Sequence, residues 1–381
     1  MGSSGHKVLK AWPVPTEVSL AFEGRPAPGL KPGRAVSGGE LLAVSHDPLT
    51  GDLRAPFSAR VIELTPNRID LRFGPGLSGQ VPEPLELEKL EGEGLAQALK
   101  SLGVDQIEKP PEGEPIIISA LNPEPGLELT RALWLDQKPT LERGLKLLNR
   151  LWPKSEIIEV LPPKFTALGP KPPTHYKEPF PLTLPSFLRF KILGLKYPRA
   201  MGVVSPQTLW AMGTIARSGL PLTLIPTTVH GYHYLAPPGL KLLNALNAVN
   251  LKPLTGDLVL LGGLVTGRPA ARLERGLKAS DLALSLIRSK SLPPPPRPCR
   301  LCALCRLACP LNLPIDSIAQ VHPGQWPNLQ KAAQKALRGC GGCGACALAC
   351  PSRRPLLLLA KVAGAGDPYG RDRIEPRAPG A

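Results

Sequence analysis

Cys299-x-x-Cys302-x-x-Cys305-x-x-x-Cys309-Pro310 is repeated further along the chain as Cys340-x-x-Cys343-x-x-Cys346-x-x-x-Cys350-Pro351, and the two runs use all eight cysteines. The spacing is that of thiolate ligands to a cubane [4Fe–4S] cluster. Two-residue gaps let one tight loop wrap three thiolates around a face of the cube. The longer gap starts a helix that carries the fourth thiolate away, and the proline ends the loop. Where a chain holds two such runs, the fourth cysteine of each serves the other cluster. The expected ligand sets are therefore Cys299, Cys302, Cys305 and Cys350 for one cluster, and Cys340, Cys343, Cys346 and Cys309 for its neighbour.

Structural zinc and a disulfide framework are the plain alternatives for eight cysteines. Zinc sites pair C-x-x-C knuckles across a long gap, often with histidine, whereas these cysteines come as three plus one with no histidine inside either run. Disulfide frameworks belong to short secreted chains. This one has 381 residues, and Met1–Lys10 lack the apolar core of a signal peptide. A reducing, cytoplasmic setting is expected, which also suits oxygen-sensitive clusters.

Length allows two or three domains. Forty-eight prolines predict short elements and stiff linkers. No apolar run reaches the roughly 18 residues that a membrane span needs. The formal net charge is +16, and basic residues flank the cysteines: Arg297, Arg300, Arg306, Lys331, Lys335, Arg338, Arg353 and Arg354. A solvated basic surface competes with a docking face for an acidic redox partner or an anionic membrane surface. Nucleic acid is set aside, because no binding motif or basic–aromatic pattern accompanies the charge.

Ahead of the cysteines the chain changes character several times. Residues 13–75 read as all-β, with apolar stretches at Val18–Phe22, Glu40–Val44, Arg60–Leu64 and Ile69–Phe73 between turn clusters. A barrel-sandwich hybrid module is expected there, without the hairpin-tip lysine of a lipoyl carrier. Residues 76–221 hold a helix near Gly94–Leu102, then strands at Pro115–Leu121, Ile157–Leu161 and Met201–Ser205 alternating with helices. That pattern predicts a Rossmann-like α/β layer. Residues 222–270 read as a β-grasp element. Residues 271–298 read as a connector ending in the polyproline spacer Pro293–Pro296. The cluster unit spans 299–362, with a helix over Leu356–Val362, and a disordered tail is expected at 363–381. The fold class is thus α/β multidomain, with a C-terminal, helical, two-cluster ferredoxin-like unit.

This order of parts resembles the C-subunit family of the Rnf electron-transport complex (RnfC-like) over roughly residues 15–360. Relatives of that family are a cobalamin reductase and, without clusters, the A subunit of the sodium-pumping NADH:quinone oxidoreductase. Ala55-Pro56, Asn122-Pro-Glu-Pro-Gly126 and Gly262-Gly263-Leu-Val-Thr-Gly267 are similar to family signatures, the last to one in the ligand-binding β-grasp (SLBB-like) element. The resemblance implies that Asn122 and Glu124 stand where flavin-binding members contact FMN. One departure changes the expectation. Flavin-binding members carry a glycine-rich loop that cradles the FMN phosphate. The equivalent here is Leu90–Leu99, with two glycines, two acidic residues and Gln97 where a dinucleotide fingerprint needs Gly or Ala. Loss of the FMN and NADH sites is expected, leaving Asn122 and Glu124 as turn-capping residues.

The function implied is an iron–sulfur electron-transfer subunit of an Rnf-like oxidoreductase complex, holding two [4Fe–4S] clusters and no catalytic residue of its own. Its expected partners are other subunits of the complex and an acidic carrier such as ferredoxin or flavodoxin. Peripheral attachment to the cytoplasmic face of the inner membrane is compatible with the charge. The alternative is an FMN-dependent NADH dehydrogenase or cobalamin reductase. His230 and His233 are expected to be structural, and Trp134, Trp152 and Trp210 to anchor cores.

Overall fold

In the computed structural model, which describes residues 8–74, 77, 81–177, 179–198, 200–319 and 339–362, alternating apolar and polar residues build a first unit of two antiparallel sheets. A short strand β1 (Lys10–Ala11) precedes it and belongs elsewhere. The unit itself contains β2 (Glu17–Ala21), β3 (Gly24–Pro26), β4 (Ala35–Val36), β5 (Leu41–Ser45), β6 (Leu53–Arg54), β7 (Ala59–Thr65) and β8 (Arg68–Phe73). The sheets run β2-β8-β7-β4 and β3-β5-β6. Val18, Leu20, Ala59, Val61, Ile69 and Leu71 all turn inward and are buried, as period-two patterning requires.

The second unit is an α/β layer. It contains α1 (Gly92–Ser101), β9 (Ile116–Ser119), α2 (Leu129–Asp136), α3 (Lys138–Leu151), β10 (Ile157–Leu161), β11 (Thr174–His175), α4 (Pro185–Leu193), β12 (Val203–Val204) and α5 (Pro206–Ser218). All three strand pairings are parallel. Ile116, Ile117 and Ile118 are each 0% exposed, the continuous apolar run of a strand covered on both faces. Helices α3 and α5 cross almost backbone to backbone. A Cβ on Gly144 would come within 2.1 Å of the Leu209 carbonyl, and one on Gly213 within 1.8 Å of that of Thr140. Helix α5 starts cleanly because Ser205 Oγ accepts the Thr208 N–H at 3.1 Å and Pro206 takes the first helical position. The strand order, β11-β10-β9-β12, reverses direction at β9. The chain steps outward to β11, then returns to the opposite side of β9. In open parallel sheets such a switch point opens a crevice at the carboxyl ends of the strands.

The third unit is a six-stranded sheet ordered β1-β14-β13-β17-β15-β16. Its members are β13 (Ile225–Val229), β14 (Tyr232–Ala236), β15 (Leu258–Leu261), β16 (Arg268–Pro269) and β17 (Ala283–Ile287), with α6 (Leu242–Ala248) in the same core. The β13–β14 hairpin turns on His230 and Gly231, both at positive φ (47° and 80°), as a two-residue primed turn requires. Two findings depart from the sequence reading. The parallel partner of β14 is β1, from the chain's first described residues. Strand β17 lies inside the segment 271–298 read as connector, yet it is central, parallel to β13 and antiparallel to β15. Five residues carry a weak alternation signal, and both of β17's partners lie well upstream, so no local pattern announces it. The stretch Pro293–Pro296 is exposed and outside any helix or strand.

Among the described residues the last unit has four short helices: α7 (Leu304–Leu307), α8 (Asp316–Ala319), α9 (Ala345–Leu348) and α10 (Leu356–Val362). Ile315, Ile318, Leu356 and Leu359 form a small core beside the cysteines. The tail read over 363–381, and Lys331, Lys335 and Arg338, lie outside the described residues. No helix among the described residues is long and apolar enough to cross a membrane.

Candidate metal centre

The two cysteine runs fold alike, position for position. Leu301 and Gly342, each two residues after the first cysteine, have φ of 57° and 65°. Ala303 and Gly344 follow at 57° and 76°, and Asn312 and Arg353 at 50° and 52°. The bond from Arg306 N–H to the Ala303 carbonyl (3.0 Å) matches that from Ala347 to Gly344 (3.0 Å). That from Asn312 to Cys309 (2.9 Å) matches that from Arg353 to Cys350 (3.0 Å). Four of these six left-handed positions are not glycine, at a cost of about 1–2 kcal/mol each. Such strain persists where the surroundings over-determine the backbone, typically at ligand-binding sites.

That backbone aims N–H groups at sulfur. Leu301 N–H lies 3.5 Å from Cys299 Sγ, and Gly342 donates to the Cys340 sulfur at the equivalent place. Arg306, Ala345 and Ala347 donate to Cys305, Cys343 and Cys346. N–H donors stabilise thiolates and tune the potential of a cluster that those thiolates hold.

The folding brings the runs together crosswise. A cavity of about 20 Å³ is lined by Cys299, Cys302 and Cys305 of the first run and by Cys350 of the second, with Asp316 beside them. Cys309 in turn stands close enough to Cys340, Cys343 and Cys346 to act on all three electrostatically. Burial pushes the thiols of Cys343 and Cys346 up to about 12, and the neighbouring sulfurs push in the same direction. Four sulfurs so crowded become thiolates together only when a cationic group sits among them. Among the described residues no group of three or more His, Cys, Asp or Glu is arranged to hold a single metal ion. Ligands of one tetrahedral zinc would bring sulfurs within about 3.8 Å of each other, given a Zn–S bond of about 2.3 Å. The first set lines a small cavity instead.

The surroundings of the two runs differ. In the first, Arg300, Leu301, Cys302, Ala303, Leu304, Arg306 and Leu307 are exposed and only Cys305 is buried. In the second, every residue from Gly341 to Cys346 is buried. Cys343 and Ala345 share a core with Leu184 and Phe187 of the α/β unit. The second run's glycines permit this approach: a Cβ on Gly341 would meet the Phe187 ring at 2.7 Å, and one on Gly344 would meet Val265 at 2.8 Å.

The loop that carries Val265 is held by Glu124. Its buried carboxylate accepts from Val265 N–H at 2.8 Å, Thr266 N–H at 3.0 Å and the Thr266 hydroxyl at 2.7 Å. A Cβ on Gly263 would come within 1.8 Å of that carboxylate. Glu124 therefore caps a turn, but a distant one in the third unit, and so links the crevice end of β9 to the second cysteine run. Nothing local in the sequence announces this; only the Glu124 and Gly262-Gly263 motifs taken together point to it. Asn122 Oδ1 is buried without a hydrogen-bond partner.

A cleft of about 70 Å³ lies at the switch point, between the ends of β9 and β12, with Ser119, Leu121, Val204, Ser205 and Gln207 in its lining. Helix α1 begins at Gly92 with Glu91 as its N-cap and Glu93 in its first turn. The remaining candidates sit in structural roles. His233 is buried and shares a 3.0 Å hydrogen bond with the Thr228 hydroxyl, while His230 sits in the hairpin turn. Trp134 and Trp210 are buried, with Trp152 against the same core. Trp134 Nε1–H donates to the Thr166 carbonyl at 3.1 Å.

Compared with models of known protein families the chain matches none, and a search of curated proteins finds no relative.

Proposed function

We propose that the protein is an iron–sulfur electron-transfer subunit of an Rnf-like oxidoreductase complex, relaying electrons through two [4Fe–4S] clusters between redox partners. The observation that carries the reading is the crosswise gathering of the two runs. A loop with two-residue gaps, a short helix and a proline stop is built twice, and each copy sends its fourth cysteine to the other. Cys299, Cys302, Cys305 and Cys350 would hold one cluster, and Cys340, Cys343, Cys346 and Cys309 the other. A four-iron cluster, when bound, takes up and returns one electron without bond chemistry. The chain's own residues fix the sulfurs, present N–H donors to them, and bury Cys343 and Cys346 of the second set.

In this reading the first unit is a barrel-sandwich hybrid, the α/β layer a Rossmann-like body, the third unit an SLBB-like β-grasp element and the last a ferredoxin-like pair. Partners are other subunits of a redox complex and an acidic carrier. The basic surface also suits attachment at an anionic membrane.

The second reading, an FMN-dependent NADH dehydrogenase or cobalamin reductase, draws on the switch-point crevice and on the unsatisfied Asn122 beside it. Two features weigh against it. Glu91 and Glu93 occupy the helix N-terminus where a phosphate would sit. The cleft, about 70 Å³, is far below the roughly 300–1,000 Å³ usual for small-molecule sites. Anaerobic purification followed by iron, sulfide and acid-released flavin assays separates the two. About eight iron per chain without flavin is the result expected. Stoichiometric FMN would overturn the pure relay, and an iron count near zero would overturn the relay in any form.

A further inference from the structure

The first four-thiol set opens outward while the second faces the body of the protein, so the two are not interchangeable as points of exchange. Cys302 is itself exposed. Around it, Leu301, Leu304 and Leu307, three residues apart, are 69%, 43% and 76% exposed, and Arg300 and Arg306 stand exposed among them. Leucines that no described residue covers, at a rim of arginine, have the composition of an interface. Over residues 297–362 the sequence carries nine lysines and arginines against a single carboxylate, Asp316. That carboxylate lines the cavity behind Cys302.

We propose that the face formed by Arg300, Leu301, Leu304, Arg306 and Leu307 around Cys302 is the docking surface for an acidic protein that carries one electron. Electrons then cross between this chain and its soluble carrier at the first run, and the second run faces inward. The proposal deepens the relay reading and rests on it. Charge selects the partner: carboxylates around the carrier's redox centre meet the arginines, and the leucines fill the dry middle of the contact. An anionic bilayer would meet the same charges, but exchange at Cys302 needs a redox centre brought against it, which a protein carrier supplies. One electron crosses per encounter. The carrier is oxidised by one, the centre held by Cys299, Cys302, Cys305 and Cys350 is reduced by one, and no bond is made or broken. Electron transfer slows steeply with distance, so the second set, with Cys343 packed against the α/β unit, is poorly placed to take this electron directly.

The test uses the full chain with both clusters in place and an acidic plant-type [2Fe–2S] ferredoxin as probe. Equilibrium binding and stopped-flow exchange are measured over a range of salt. The wild type is expected to bind more weakly as salt rises. Arg300→Glu/Arg306→Glu should weaken binding and slow exchange by about ten-fold or more at low salt, with iron content and reduction by dithionite unchanged. Leu307→Gln should give a smaller loss with the same cluster content. A charge reversal on the α/β body, Lys146→Glu/Lys154→Glu, should leave all these values as they are. Unchanged binding and exchange in the arginine variant would overturn the docking surface and leave the relay standing. Loss confined to sedimentation with phosphatidylglycerol vesicles would assign the face to a membrane and overturn the proposal. Wild-type chains that hold no iron, or clusters that resist dithionite, would remove the relay reading and the surface with it.

Discussion

Cys299–Cys309 and Cys340–Cys350 share one backbone and stand in opposite environments. Leu301 and Ala303 adopt the left-handed conformation at the same places as Gly342 and Gly344, yet one loop is open to solvent and the other lies under Phe187 and Val265. The conformation is therefore not what glycine serves here. Both loops need positive φ to turn N–H groups toward sulfur, and alanine or leucine manages it at some cost. Glycine becomes necessary where another unit packs against the loop, because only a residue without Cβ lets Val265 and Phe187 approach so closely. The same loop geometry thus stands in two environments, set by what covers it.

The largest test of this comparison exchanges serine for the fourth cysteine of each run. Cys350→Ser should lose or convert the centre of the first run, and Cys309→Ser that of the second, each change acting across to the other run. Iron counts and electron paramagnetic resonance of the reduced protein would read it. Loss of the centre in the same run as the mutation would break the crosswise arrangement.

A smaller effect separates the loops by packing. Gly344→Ala should destabilise the holoprotein by about 2 kcal/mol, because the new methyl meets both positive φ and Val265. The matching change in the exposed loop, Ala303→Gly, should stay within about 1 kcal/mol of wild type, relief of strain offsetting the freer unfolded chain. Denaturant unfolding under anaerobic conditions measures both. Equal effects would mean that packing does not distinguish the loops.

The smallest effect sharpens the comparison from outside the cluster unit. Glu124→Gln can keep its carbonyl on the Val265 and Thr266 N–H groups and turn its amide to the Thr266 hydroxyl, which then accepts, so the loss is that of the carboxylate's charge on those bonds, about 1 kcal/mol. Since Glu124 holds the loop of Val265, the centre of the second run should release iron to a chelator faster, while that of the first is unchanged. Loss from both centres at equal rates would show that the loop does not support the second run selectively.

Much of this was legible because it is local. Cysteine spacing, the Ile116–Ile118 run, the amphipathic helix at Lys138–Leu151 and the Leu356–Val362 helix each announce themselves within a window of about a dozen residues. What was not legible depends on distant partners. Strand β17 is too short to carry a pattern, and its place between β13 and β15 comes from hydrogen bonds to residues far upstream. Glu124 reads locally as a turn residue, and its three donors stand more than a hundred positions away.

By itself the sequence determined which eight thiols stand at the two repeated spacings, and that the surrounding charge is positive. Those follow from covalent spacing and side-chain type, which no folding can alter. Only the tertiary structure decided which run faces solvent and which lies against the α/β unit, since exposure is a property of what packs on a loop and not of the loop's own residues. It also decided that the crevice at the end of β9 connects through Glu124 and Val265 to the second run, because a buried carboxylate takes its donors from whatever backbone the fold brings within reach.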